Sequence, residues 1–244
     1  MSSRDKVLLK NNTDLSNLHQ GERIFIVYSG RSLNRVELSA FRFEHVMGVN
    51  LVALHHKFKE LNANFYCYSA SWNASQSKFL AWGLQIVYTS VNHNVKLFLN
   101  ATSKYWINNF NYCGLSDYTS EFKGDTYFIN ATTFILGSDH KVNCDLPKSM
   151  HGVFSRSIGI AIDLGFKQIF LIGADYSKDP TCVGHFYGSE DFVTHRTENE
   201  NLMHNAIKSF AEKKGVQIVN VIEDGQDSPI YDSNHIDEVY TICR

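Results

Sequence analysis

The chain has 244 residues, enough for one large domain with a sizeable core, and its 43% hydrophobic and 20% charged composition is ordinary for a folded globular protein. Twenty-three Lys+Arg against twenty-five Asp+Glu give a formal charge of −2, so no basic field calls for nucleic acid as a partner. Five cysteines without a CxxC pair argue against both a zinc site and a disulfide framework, and predict a reducing compartment.

In chain order, residues 1–20 are polar with scattered leucines and read as an N-terminal arm; residues 21–244 read as a single domain. The first residues lack the apolar core of a signal peptide, and no apolar run is long enough to span a bilayer. A cytoplasmic location follows, with peripheral association at the inner face of a membrane compatible with it.

Residues 23–28, Arg-Ile-Phe-Ile-Val-Tyr, predict a buried strand that feeds the turn Ser29-Gly30-Arg31-Ser32-Leu33 and then a polar helical segment. Backbone N–H groups at such a turn, with a helix N-terminus, form an anion site. The full GxGxxG pattern is absent, so an ordinary strand-to-helix turn is the competing reading. Residues 45–50 predict a second strand ending in Asn50, whose amide can read a base or ribose edge. Further strands are expected at 64–69, 84–88, 95–99 and 125–129. The polar, aromatic stretch 102–145 reads as an irregular, lid-like insertion.

The most informative stretch is 151–187. Apolar residues at helical spacing over 155–164 predict a helix that Gly165 ends, and Gln168–Ile172 predicts a strand buried on both faces. The polar turn Gly173-Ala174-Asp175-Tyr176 follows. In open α/β sheets ligands bind outside the carboxyl ends of the strands, so an acid and a phenol there are site candidates; turn capping by Asp175 is the alternative. The loop 177–197 carries His185, Tyr187, His195 and Arg196, with the histidines suited to proton transfer near neutral pH. An amphipathic helix over 201–214 and a last strand over 216–221 lead into an acidic, turn-rich tail. No HxxxH or HxH spacing points to a metal, and neither a GxSxG nor a Walker lysine is present.

The fold class expected is α/β: a single Rossmann-like domain with a mostly parallel sheet flanked by helices. GERIFIVYSGRSL, GIAIDLGFKQIFLIGADYS, HFY and AIKSFAEKKGVQIVNV together resemble a bacterial family with that fold. It includes the small sialyltransferases that use CMP-sialic acid and the 6-hydroxymethylpterin-diphosphokinase-like domains of surface-polysaccharide loci. The match covers the greater part of the chain and leaves the middle unmatched; Tyr28 stands for the family's first glycine and Arg31 for its proline.

The resemblance implies metal-independent transfer of a sugar, sialic-acid-like and CMP-linked, with no cofactor beyond the nucleotide-sugar donor, to a glycan or lipid-linked glycan acceptor. It implies Ser29, Gly30 and Asn50 at the nucleotide, Asp175 near it, and Ser155 near the donor carboxylate; Ser32, Gly173 and Tyr176, at the same strand ends, are further donor-binding candidates from their position in the sequence. The general base falls at His195, with His185 the rival, while the chemistry makes Tyr176, Tyr187 and Arg196 candidates to stabilise the leaving phosphate. Two other readings stay open. One is a pterin diphosphokinase using ATP and magnesium held by Asp175, Asp179 and Asp191; the other is a non-catalytic binding protein of the same fold.

Overall fold

The computed structural model describes residues 14–68, 95–101, 125–130, 152–178, 181–188, 192–194, 198–223 and 227–243. Eight strands form one sheet: β1 (Arg23–Val27), β2 (Val46–Val49), β3 (Phe65–Tyr68), β4 (Lys96–Ala101), β5 (Thr126–Asn130), β6 (Gln168–Ile172), β9 (Gln217–Ile222) and β10 (Asp232–His235). A separate antiparallel hairpin pairs β7 (Thr181–Val183) with β8 (Phe192–Thr194). Three α-helices are described: α1 (Gly152–Asp163), α2 (Glu198–Lys213) and α3 (Ile236–Ile242). None is long and apolar enough to cross a membrane.

The sheet order is β10-β9-β6-β1-β2-β3-β4-β5, and every pairing in it is parallel. The chain marches outward from β1 to β5, then returns through α1 to lay β6 on the other side of β1. Strand order therefore reverses between β1 and β6, the position at which open α/β sheets leave a crevice beyond their carboxyl ends.

Alternation along each strand fills both faces. Ile24, Ile26 and Tyr28 join Ile169, Leu171 and Ile218 beneath Ile158 and Ala161 of α1 and Ile207 and Phe210 of α2. Phe25 and Val27 join Phe170, Ile172, Val219 and Val221 on the opposite face. A strand buried on both sides must be apolar at every position, which is why β1 and β6 read as unbroken apolar runs.

The second face is covered differently from the expectation. Instead of an α-helix, the β1–β2 connection contains two 3-10 segments, Arg31–Arg35 and Leu38–Phe41; Asn50–Leu54 and Phe58–Leu61 do the same between β2 and β3. They insert Leu33, Leu38, Phe41, Val52, Phe58 and Leu61 into the core, and α3 adds Ile236 and Val239. Crossovers this short bury their apolar side chains without the length an α-helix needs. The acidic tail is likewise structured, as β10 and α3. The strand expected at 84–88, and most of the stretch read as a lid, lie outside the described residues.

Helix α1 ends as its sequence predicts. Gly165 has a φ of +101°, Gly165 N–H donates to the Ile162 carbonyl and Phe166 N–H to that of Ala161, the paired bonds of a Schellman motif. The last carbonyls of the helix take bonds from the preceding arm: Asn17 N–H to Asp163, His19 N–H to Leu164 and Gly21 N–H to Gly165. Residues 17–21 are thereby stitched to the carboxyl end of α1, and Leu15 is buried in the core.

Candidate active site

At the reversal point lies an open cleft of about 490 Å³. Tyr28, Ser29 and Gly30 reach it from the end of β1, Val49 and Asn50 from the end of β2, and Tyr176 from the turn after β6. Gly152, Val153 and Phe154 at the start of α1 form one wall; Gly184 and His185 form another, and Asn199, Glu200 and Met203 of α2 close the rim. Five sequence candidates meet here: Ser29, Gly30, Asn50, Tyr176 and His185.

Asn50 holds a left-handed backbone, with φ of +51°, a conformation that asparagine tolerates better than most residues. The Tyr66 hydroxyl donates to its carbonyl and also accepts a bond from Ala53 N–H at 3.2 Å. One buried phenol thus fixes the bend that delivers Asn50 to the cleft.

His185 is exposed, and its Nδ1 lies 2.9 Å from the Ser29 hydroxyl. Its ring stacks on Tyr187 with centroids 4.9 Å apart, and Phe186 N–H bonds to the Ser29 carbonyl at 3.0 Å. With Nδ1 occupied, Nε2 is left without a protein partner among the described residues. An imidazole oriented through one nitrogen and open at the other has the arrangement of a general base.

The first four amides of an α-helix have no partner within it, so the start of α1 presents N–H donors and the positive end of the helix dipole to the cleft. The phenols of the site stay protonated. Burial raises Tyr176 well above its ordinary range, reinforced by Tyr28, Tyr231 and Asp175 around it. Burial likewise raises Tyr187, partly offset by a hydrogen bond with Ser29. Both are donors at neutral pH.

No family model matches the chain, and no curated protein matches its sequence. Solved structures similar to it are sialyltransferases of Campylobacter jejuni. The monofunctional α-2,3-sialyltransferase Cst-I is 14% identical, with 84% of this chain and 77% of that one covered at a TM-score of 0.49. An α-2,3-sialyltransferase in apo form is 15% identical, over 88% and 82% of the two chains, at 0.49. CstII in complex with cytidine-5'-monophosphate is 14% identical, over 82% and 80%, at 0.48.

The remaining sequence candidates lie elsewhere. Asp175 is 3% exposed and faces inward: it accepts Ser32 N–H at 2.9 Å and the Ser32 hydroxyl. Lys178 Nζ stands 3.8 Å from Asp175 and 3.1 Å from Glu223, with all three side chains buried. The Ser32 amide of the β1 turn, expected to meet a ligand anion, therefore meets the protein's own carboxylate. Gly30 lines the cleft, but the direction a side chain would take from it is closed in the same way. A Cβ at Gly30 would stand 2.7 Å from the Asp175 carboxylate and inside van der Waals contact with the Gly173 carbonyl. The β1 and β6 turns approach so closely that only glycine fits. Gly173, at φ +66°, completes that contact beneath the cleft rather than in its lining.

Ser155 is fully buried within α1 and does not line the cleft. Tyr187 is 45% exposed and reaches the site through its stack on His185. His195, Arg196, Asp179 and Asp191 lie outside the described residues. The N-terminal residues of α1 and α2 were missed because each helix reads from sequence as an apolar face, with no signal for which end meets the crevice.

Proposed function

We propose that this cleft binds a nucleotide sugar and that the protein is a glycosyltransferase. The observation that carries the reading is the meeting, at the strand-order reversal, of Asn50, the start of α1 and the Ser29–His185 pair. Asn50 stands at the carboxyl end of β2 where a base or ribose would lie, the α1 amides suit a phosphate, and among the described residues His185 Nε2 has no protein partner. The resemblance of the GIAIDLGFKQIFLIGADYS run favours a CMP-linked, sialic-acid-like donor.

In the reaction, the base takes the proton of an acceptor hydroxyl whose oxygen bonds to the anomeric carbon of the donor. The bond from that carbon to the phosphate oxygen breaks, and the phosphate leaves with the electron pair. Protonated Tyr176 and the α1 amides would offset the charge that develops on it. His185 is the base among the described residues, and His195 is the other candidate from the resemblance.

The pterin diphosphokinase reading finds less support. It needs carboxylates converging on magnesium, yet Asp175 is buried and engaged by Ser32 and Lys178. Among the described residues Glu200 is the one carboxylate lining the cleft.

Calorimetry with CMP, UDP, GDP and ATP, each with and without magnesium, tests the class of ligand. CMP binding without magnesium is the expected result; ATP binding only with magnesium would overturn it. With a CMP-sugar donor, His185→Ala should lower turnover by about 100- to 10,000-fold and leave CMP affinity within a few-fold. Full activity in His185→Ala and its loss in His195→Ala would move the base to His195.

A further inference from the structure

At the amino edge of the sheet, a strand's length from the cleft, three side chains from separate chain segments converge. They are His19 of the arm, Glu22 just before β1 and His45 just before β2. Both His19 Nδ1 and His45 Nε2 point at the same Glu22 oxygen, at 3.1 and 2.5 Å. All three ligand atoms lie within 4.8 Å of one another. We propose that His19, Glu22 and His45 form a binding site for a divalent transition metal of the zinc type, completed by water, that clips the arm to the sheet.

The donor set is the one such ions prefer, two imidazoles and a carboxylate, and three protein ligands plus water is an established coordination for zinc. Tetrahedral bonds of about 2.0–2.1 Å place ligand atoms roughly 3.3 Å apart. The two separations from Glu22, 3.1 and 2.5 Å, are of that order, and the third lies within 4.8 Å. The backbone that carries the three residues is fixed independently: His19 N–H bonds to Leu164, Gly21 N–H to Gly165, Lys167 N–H to the Glu22 carbonyl, and Phe25 N–H to the His45 carbonyl.

The rings are held as well. His19 stacks on Phe166, with centroids 4.8 Å apart and planes within 4°, and meets Phe65 edge-on at 5.5 Å. His45 packs against His19 at 4.5 Å and Phe166 at 5.4 Å. This aromatic floor covers one side of the cluster, while side-chain exposures of 20%, 47% and 35% for His19, Glu22 and His45 leave the other open to water.

The site escapes a spacing search because its ligands sit at 19, 22 and 45, and β1 with its following turns must fold before the third joins the first two. Its place opposite the cleft assigns it to holding the arm, not to group transfer.

The test is titration of the EDTA-treated, full-length protein with zinc chloride by calorimetry, with cobalt(II) absorption as a second readout of the ligand set. One zinc per chain is expected, together with a rise in melting temperature. Losing even an outer-shell partner of a metal costs about 10- to 100-fold in affinity, so His45→Ala and Glu22→Gln should each lose at least that much. His235→Ala, at an exposed histidine elsewhere, should bind as the parent does. Glu22→Gln alters a half-exposed side chain and carries the test should His45→Ala not fold. Absence of saturable one-to-one binding, or unchanged affinity in Glu22→Gln and any folded His45→Ala, would overturn the proposal.

Discussion

Asp175 stands at the carboxyl end of β6, where an acid would meet a ligand, yet its oxygens are engaged with Ser32 and its charge faces Lys178. A buried carboxylate must find donors and a counter-charge within the protein, because the interior offers no water to replace them. Its contribution is to hold the β1 turn and the β6 turn at the separation that gives the cleft its floor. Asp175→Ala should therefore cost about 3 kcal/mol, the low end of the range for removing one partner of a buried ion pair, because Glu223 still faces Lys178. Urea unfolding measures this. CMP affinity, taken where the variant is folded, should fall only as far as the turn relaxes. A variant as stable as the parent would mean that the Ser32–Asp175–Lys178 chain contributes nothing to the turn.

Among the elements, β2 and β3 illustrate how a strand pair places a site residue. Tyr66 of β3 is fully buried, and its hydroxyl spans the bend after β2, bonding Asn50 and Ala53. Burial raises that phenol well above its ordinary range, so it keeps its proton and donates to the Asn50 carbonyl. Tyr66→Phe keeps the ring but strands the Ala53 amide in the core, a loss of about 1–3 kcal/mol. It also frees Asn50 from its left-handed conformation, so CMP should bind more weakly than the stability loss alone explains. Calorimetry beside urea unfolding separates the two effects. Parent-like affinity in a destabilised variant would remove the Asn50 bend from the nucleotide site.

For the whole molecule, a sheet covered on both faces buries groups that ionise only at high pH. Burial pushes the Cys67 thiol from 9.0 up to about 12 and raises the phenols of Tyr28, Tyr66 and Tyr176 above 10.0. Between the unfolded and folded values the native state keeps protons that the unfolded chain gives up, so stability falls as pH rises. Stability set by these groups should be intact below about pH 9 and decline steadily above it, measured by urea midpoints across the alkaline range. A flat midpoint to pH 11 would contradict the burial of these groups. Cys67 should meanwhile resist alkylating reagents at neutral pH until the protein unfolds, since only the thiolate reacts.

The sequence alone determined the parts whose signal is local. Unbroken apolar runs mark β1 and β6 because both of their faces are buried, and Gly165 marks the end of α1 because a left-handed residue is needed there. The polar turns after β1, β2 and β6 mark the carboxyl edge as the place to look for Ser29, Asn50, Tyr176 and His185. Tertiary structure decided what depends on residues distant in the chain. Gly30 reads from sequence as room for a ligand, but the space is filled by Gly173 and Asp175, 143 positions from Ser32 in the case of the Asp175 bond. Short connections that pack as 3-10 segments carry no helical period, and a tail whose strand β10 pairs with β9 shows its order only once β9 is in place. The His19–Glu22–His45 cluster is likewise a product of β1 and β2 lying side by side, since hydrogen-bonded register, not spacing along the chain, sets which side chains meet.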